Sequence, residues 1–262
     1  MKTISFRDRT ALITGGSSGI GFETARVLAG EGARLILTAS SRERLEKAAA
    51  ELHREYGRRP ETIIADLTEP DSPRKLFETL NEKKTAVDIL VNNAGFGTLG
   101  AYADSGLDRS LEMIEVNVKA LCALTHYFAA PMQARGQGWI LNVASTAAFQ
   151  SIPLEAVYGA TKAFVLSFSV ALHEELAPRG VAVTCLCPGP TETAFFSQGG
   201  FRKTSKMFRS RVPAAPVARA GVDALKKNKA IVIAGTQNAI GAFGTRLVGR
   251  TLAAKIAKKV VE

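Results

Sequence analysis

Tyr158 and Lys162 stand four residues apart in the run Tyr158-Gly159-Ala160-Thr161-Lys162, and on a helix that spacing stacks both side chains on one face. The pair is a phenol beside an ammonium. A free tyrosine titrates near pH ~10 and a neighbouring positive charge favours the phenolate, so the pair would make a proton donor or acceptor that works closer to neutrality. The same spacing also decorates many solvated helices, so its meaning depends on what else the chain brings to the same place. Near the N-terminus, Ala11-Leu12-Ile13 leads into Thr14-Gly15-Gly16-Ser17-Ser18-Gly19-Ile20-Gly21, followed by a helical apolar pattern through Phe22, Ala25, Val27 and Leu28. That reads as strand, tight turn, helix. Glycines there let the backbone approach a pyrophosphate, whose charge is met by amide hydrogens and the positive end of the helix dipole.

The elements that must position these groups alternate along the chain. Continuous apolar runs near Ala11–Thr14, Arg34–Ala39, Thr62–Asp66, Ile89–Val91, Trp139–Val143, Val181–Leu186 and Ala230–Ala234 predict strands buried on both faces. Helical patterns fill the gaps, most clearly Glu43–Tyr56, Ser72–Leu80, Leu111–Arg135 and Glu155–Leu176. Repeated βα units with right-handed crossovers give an α/β fold, a doubly wound parallel sheet of about seven strands with ligands at the strands' carboxyl ends. At 262 residues with no linker, low-complexity tract or internal repeat, residues 1–262 are expected to form a single domain.

From about Phe6 to about Gly235 the ordered motifs resemble the short-chain dehydrogenase/reductase family. The glycine run has that family's T-G-x-x-x-G-x-G form, Asn92-Asn93-Ala94-Gly95 follows the strand-like Val87–Val91, Asn117, Ser145, Tyr158 and Lys162 fall in family order, and Pro188-Gly189 follows another strand. So many ordered elements are far more specific than any one of them. The resemblance implies a Rossmann-like fold and an oxidoreductase that passes hydride between a nicotinamide cofactor and a carbonyl/secondary alcohol pair. In that role Tyr158 exchanges the proton with the substrate oxygen and Lys162 lowers the phenol's pKa while holding the nicotinamide ribose. Ser145 hydrogen-bonds the carbonyl oxygen, and Asn117 anchors a water relaying protons to Lys162. Taken alone, Ser145 is a polar residue ending a strand and Asn117 a poor helix former inside a helix.

The cofactor set implied by the same resemblance is Gly15, Ser17, Ser18, Gly19, Ile20 and Gly21 at the phosphates. Asp66 and Leu67 would sit at the adenine, and Asn93, Ala94 and Gly95 along the adenosine ribose. Tyr158 and Lys162 would meet the nicotinamide end, with Pro188, Gly189, Thr191 and Thr193 at the carboxamide. NAD sites usually end the second strand with an acid on the ribose 2′-hydroxyl, and Ala39 stands at that place. Ser40, Ser41 and Arg42 would instead suit a 2′-phosphate, so NADP is expected in preference to NAD. Many NADP-specific relatives carry arginine where this chain has Ser40.

From Pro190 to Pro213 the chain mixes Phe195, Phe196, Phe201, Met207 and Phe208 with Arg202, Lys203, Lys206, Arg209 and Arg211, an apolar lid with basic edges that suits a hydrophobic carbonyl compound, with or without a phosphate or carboxylate. A ketoacyl reductase is one subtype, but Ala230–Gly235 runs on into Thr236-Gln237-Asn238 and a basic tail. Common acyl-carrier-protein reductases end soon after a Val-Asp-Gly-Gly-type strand, and this ending resembles a less characterised branch of general short-chain dehydrogenases. The alternative to an enzyme is a non-catalytic NADP(H)-binding sensor, whose family relatives commonly lose the tyrosine or lysine that this chain keeps.

Three cysteines cannot build a disulfide framework, and Cys185 and Cys187 read as core thiols. His53, His126 and His173 lack metal-ligand spacing, so no metal is expected. The short polar start implies no signal peptide, making the cytoplasm the expected compartment. The net charge of +10 is spread along the chain without a nucleic-acid motif, so no nucleic-acid partner is expected. A dimer or tetramer of this chain is. No uninterrupted apolar stretch approaches ~20 residues, so no membrane span is expected. In the tail, 236–262, Leu247, Val248, Leu252, Ile256 and Val260 recur at near-helical spacing among Arg246, Arg250, Lys255, Lys258 and Lys259. That amphipathic helix would lie on an anionic membrane, a partner subunit or its own domain.

Overall fold

The protein was studied as a computed structural model that describes residues 4–193, 195, 211–245 and 247–261. Among them, seven short apolar segments form one parallel sheet: β1 (Thr10–Thr14), β2 (Arg34–Ala39), β3 (Glu61–Ile64), β4 (Ile89–Asn92), β5 (Gly138–Val143), β6 (Val181–Cys187) and β7 (Ile231–Ile233). Their order is β3-β2-β1-β4-β5-β6-β7. The chain winds outward from β1 to β3 and then returns to place β4 on the other side of β1, so a switch point opens between β1 and β4 at the strands' carboxyl ends. Crossovers run through α1 (Gly19–Gly30), α2 (Arg42–Tyr56), α3 (Ser72–Glu82), α4 (Leu107–Ile114), α5 (Leu121–Ala134), α6 (Ala156–Leu176) and α7 (Ala214–Lys226).

The continuous apolar runs are explained by two-sided burial. Ile13, Leu37, Val91 and Leu141 pack on one face with Phe22, Ala25 and Leu28 of α1. Their neighbours Leu12, Ile36, Leu90 and Ile140 pack on the other face with Leu76 and Leu80 of α3 and Leu124 and Phe128 of α5. Successive strand residues point to opposite faces, so both sets must be apolar, and each fully buried side chain contributes on the order of 1.5–3 kcal/mol.

Three expectations change in detail. The strand sought over Thr62–Asp66 ends at Ile64, because the Asp66 carboxylate accepts from the Thr68 amide (3.0 Å) and hydroxyl (2.8 Å), folding the chain into a turn. The helix sought over Leu111–Arg135 is α4 and α5 joined by a π-helical turn, Glu115–Ala120. One helix, Ala156–Arg179 counted with its final turn, is long and apolar enough to cross a membrane by length and composition, contrary to expectation. It packs on β6 and buries Tyr158 and Lys162, which makes it a core element of this fold.

The tail forms two helices, α8 (Thr236–Gly244) and α9 (Arg250–Val261), instead of one. Among the described side chains of α9, Ala253 and Ala257 are buried, while Leu252 and Ile256, and Leu247 ahead of the helix, are exposed, Leu247 to 75%. Ala253 and Ala257, at i and i+4, share one face of the helix, and the larger apolar residues Leu252 and Ile256 are exposed. Arg246 and the side chain of Val260 lie outside the described residues.

Candidate active site

The first turns of α6 carry Tyr158 and Lys162 to the wall of a cavity of about 500 Å³ at the sheet's switch point. Both are buried. The Lys162 ammonium donates to the Val143 carbonyl at the end of β5 (2.9 Å) and lies 5.8 Å from the Tyr158 ring centre. Burial lowers its pKa to about 8, with Cys185 and Cys187 pulling weakly the other way. The expectation that Lys162 brings the phenol down is not met in the protein alone. Burial pushes Tyr158 well above its ordinary value, the charge of Glu155 adds to that rise, and the opposing pull comes from the Ser145 hydroxyl. Ser145 follows β5, where its hydroxyl accepts from the Ala147 amide (3.1 Å) and caps a short turn, Thr146–Phe149.

Asn117 sits in the π-helical turn, a feature frequent at functional sites. Its amide donates to the Phe96 carbonyl (2.9 Å) and to Thr161 Oγ1 (3.1 Å), and its oxygen accepts from the Phe96 amide (3.1 Å). Thr161 Oγ1 donates in turn to the Tyr158 carbonyl (2.7 Å). Asn117 therefore fastens the loop after β4 to the helix that carries the tyrosine. It does not line the cavity itself.

At the other end, Gly15, Ser17, Ser18, Gly19 and Ile20 form a cradle at the N-terminus of α1. Ser18 makes no side-chain cap and the first turn holds no acid, so the positive end of the helix is left for an anion. Gly15 (φ 62°) and Gly19 (φ 57°) take left-handed backbone, and a Cβ would meet the Asn93 amide at 2.8 Å in the first case and the Thr193 side chain at 2.8 Å in the second. Asn93 locks this turn by donating to the carbonyls of Thr14 (2.9 Å) and Gly15 (3.2 Å). Gly21 lies behind the cradle against Asn93 and does not line the cavity. A long cleft with an anion cradle at one end and a buried Tyr–Lys pair at the other fits a dinucleotide. Asp66, Leu67, Asn93, Ala94 and Gly95 line its length, and Pro188, Gly189, Thr191 and Thr193 line its far wall.

At the end of β2 the lining consists of Thr38, Ala39, Ser40 and Arg44, without a carboxylate among the described residues. Two residues expected at this end do not line the cavity. Ser41 is the N-cap of α2, accepting from the Arg44 amide (3.4 Å), and Arg42 is not among the residues that line the cavity. Arg44 takes the place foreseen for Arg42, because two helical positions apart means nearly opposite faces.

The substrate end is apolar, built from Phe96, Ala147, Ile152, Phe195 and the Tyr158 ring, with Phe195 and Tyr158 centred 5.2 Å apart. Paired main-chain bonds between Pro190–Glu192 and Val212 (2.8 and 3.0 Å) close the base of the expected lid. Phe196, Phe201, Arg202, Lys203, Lys206, Met207, Phe208 and Arg209 lie outside the described residues. Two charged residues that sequence reasoning missed also line this end. Arg109 lies over the Phe96 ring at 3.8 Å and pairs with Glu112 (2.7 Å). Glu155 is 4% exposed with a buried carboxylate oxygen that has no partner, and burial raises its pKa to about 7. Among the described residues no group of three or more His, Cys, Asp or Glu side chains gathers as a metal site.

The profile of the family described as short chain dehydrogenase matches residues 9–200, well over half the chain. The chain is a short-chain dehydrogenase/reductase. An uncharacterized oxidoreductase of Staphylococcus saprophyticus is 34% identical to this short-chain dehydrogenase/reductase over 190 residues, covering 72% of this chain and 81% of the relative. A short-chain dehydrogenase from Sphingobium yanoikuyae, solved in complex with NADPH, superposes with a TM-score of 0.81 at 31% identity, covering 91% of this chain and 94% of that one. A bulky-bulky ketone specific alcohol dehydrogenase from Comamonas testosteroni superposes with a TM-score of 0.77 at 28% identity, covering 91% and 92%. These likenesses place the Tyr158–Lys162 pair in an oxidoreductase framework.

Proposed function

We propose that this short-chain dehydrogenase/reductase reduces hydrophobic carbonyl compounds with NADPH, using Asn117, Ser145, Tyr158 and Lys162. The observation that carries the reading is Tyr158 and Lys162 buried together, with Ser145 beside the phenol, where the cleft becomes apolar. When bound, the cofactor supplies the hydride that the protein cannot. The hydroxyls of Ser145 and Tyr158 hold the carbonyl oxygen, and the Tyr158 proton passes to that oxygen as negative charge develops. Lys162, with a pKa brought to about 8, can return a proton near neutrality. Asn117 holds Phe96 and Thr161, so a relay water beside it would use its backbone carbonyl or the free lone pair of Oδ1.

The cofactor preference rests on Ser40 and Arg44 at the end of β2, which suit a 2′-phosphate, and is supported by the NADPH complex of the Sphingobium relative. The apolar lining and the ketone-specific Comamonas relative support a hydrophobic ketone. Self-association is supported by the outward face of α6, where Ala156, Ala160, Ala163, Phe164 and Ala171 are exposed. The outward apolar stripe of the tail supports a contact with a second subunit or an anionic lipid surface. Titration with NADPH and NADH followed by nicotinamide fluorescence, then a carbonyl panel with NADPH, tests the reading. Tighter NADPH binding with turnover of apolar ketones is expected, and NADPH binding without turnover of any carbonyl would favour a sensor.

A further inference from the structure

Glu155 is a carboxyl group placed where the fold has no use for one. It occupies the N-cap of α6, three residues before Tyr158, yet its side chain caps nothing. The residue is 4% exposed, one carboxylate oxygen is fully buried without a hydrogen-bond partner, and the side chain lines the cavity beside Ile152 and Tyr158. Among the described residues no cation forms an ion pair with it, since Lys162 is turned to the Val143 carbonyl and Arg109 to Glu112. Buried polar groups are nearly always satisfied, because losing water without gaining a partner costs free energy.

The backbone holds the residue in place at a cost of its own. Leu154, the preceding residue, adopts φ 69°, a left-handed conformation unfavourable for leucine. Its carbonyl accepts from the Gly100 amide (2.9 Å), and the Glu155 amide donates to the Ile152 carbonyl (3.2 Å). The loop that includes Phe96 and the loop entering α6 are thus tied together around the carboxyl group. The walls around it are largely apolar, from Phe96, Ala147, Ile152 and Phe195, and the Arg109 guanidinium at this end lies on the Phe96 ring and pairs with Glu112.

We propose that Glu155 is a specificity residue whose carboxyl accepts a hydrogen bond from a hydroxyl or amine on the substrate, which makes the substrate class hydroxy- or amino-substituted hydrophobic carbonyl compounds. The inference rests on the reductase reading of the same site and narrows it. A site with a buried group awaiting a donor discriminates strongly against the analogue that lacks one, because that analogue leaves the carboxyl desolvated and unpaired. A purely hydrocarbon ketone therefore fits the walls but strands Glu155.

The test uses phenyl ketones whose side chain ends in methyl, hydroxyl or amine, at increasing length from the carbonyl, with NADPH. In the unmodified protein the hydroxyl or amine member should exceed its methyl counterpart in kcat/KM by roughly tenfold or more at the length that reaches the carboxyl. Glu155→Leu should cancel or invert that ratio by weakening the donor-bearing member and improving the methyl one. Glu155→Gln, nearly the same shape, guards against a folding defect: it keeps an acceptor, so preference for the hydroxyl should survive in part while preference for the protonated amine falls with the lost charge. An amine preference undiminished in both variants would mean that the substrate's ammonium is recognised by a group other than this carboxyl, and would overturn the proposal. So would equal ratios in all three proteins. Calorimetric titration of the same ketones into the NADPH-loaded proteins reads binding without turnover. A donor preference in binding that Glu155→Leu abolishes upholds the role of Glu155 even where no ketone is reduced, an outcome that would refute the reductase reading alone.

Discussion

Replacing Glu155 by glutamine should make the protein more stable at neutral pH and flatten one part of its pH dependence. The carboxyl is ordinarily near 4.5 and is held at about 7 by burial, which corresponds to about 3 kcal/mol between the two limits. The direction follows from which state holds the proton. Below pH 4.5 the group is neutral in both folded and unfolded chains and carries no charge penalty. Between 4.5 and 7 the unfolded chain ionises while the folded one keeps its proton, so stability falls as pH rises, and above 7 the folded protein bears a buried charge with no partner. Glutamine does not titrate. A buried amide has an unfavourable desolvation of its own, but that offset is constant with pH, so the slope of the difference is the readout. Denaturant unfolding of both proteins from below pH 4.5 to above pH 7 should show the variant gaining on the parent by up to about 3 kcal/mol across that window. A difference that does not change with pH would mean that Glu155 is hydrated or paired and that its buried environment has been misread.

Lys162→Ala should weaken NADPH affinity roughly tenfold or more as well as turnover, because the ammonium is assigned both to the cofactor ribose and to the phenol; fluorescence titration showing unchanged affinity would contradict the double role. Ala39→Asp should move the NADP/NAD affinity ratio towards NAD by roughly tenfold or more, since a carboxylate at the end of β2 accepts from a 2′-hydroxyl and repels a 2′-phosphate; an unmoved ratio would place the ribose elsewhere. Deleting Gly241–Glu262 should leave NADPH binding in place while abolishing salt-sensitive binding to anionic vesicles or reducing the oligomer's mass; a truncated protein unchanged in vesicle binding, mass and melting would make the outward Leu252 and Ile256 stripe a solvated surface.

The sequence revealed those parts of the site that depend on short spacings. The glycine turn, the Tyr158–Lys162 step and the five inner strands are each set by local periodicity and appear close to where their spacing placed them, whereas the edge strands Glu61–Ile64 and Ile231–Ile233 are only partly buried. What the sequence hid depends on direction and burial. Arg42 and Arg44 are equally basic in the sequence, and only the start of α2 at Ser41 decides which one turns to the cavity. Glu155 resembles any acid before a helix until Leu154 and the apolar cluster around it remove its water. The π turn at Asn117 interrupts a pattern that reads as one unbroken helix, with Leu111, Leu121 and Leu124 in continuous apolar spacing. In the tail, periodicity located helical structure and an apolar stripe but left open what the stripe faces, and with Ala253 and Ala257 buried, Leu252 and Ile256 are the ones left exposed.

In the proposed reaction Tyr158 delivers the proton at a site that also binds NADPH. Tyr158→Phe removes one hydroxyl while the ring still packs against Ala147, Ile152 and Phe195. Steady-state reduction of an apolar ketone, measured beside NADPH titration of the same protein, should show turnover reduced roughly 10²–10⁴-fold with cofactor affinity nearly intact. Turnover close to that of the unmodified protein would contradict the account.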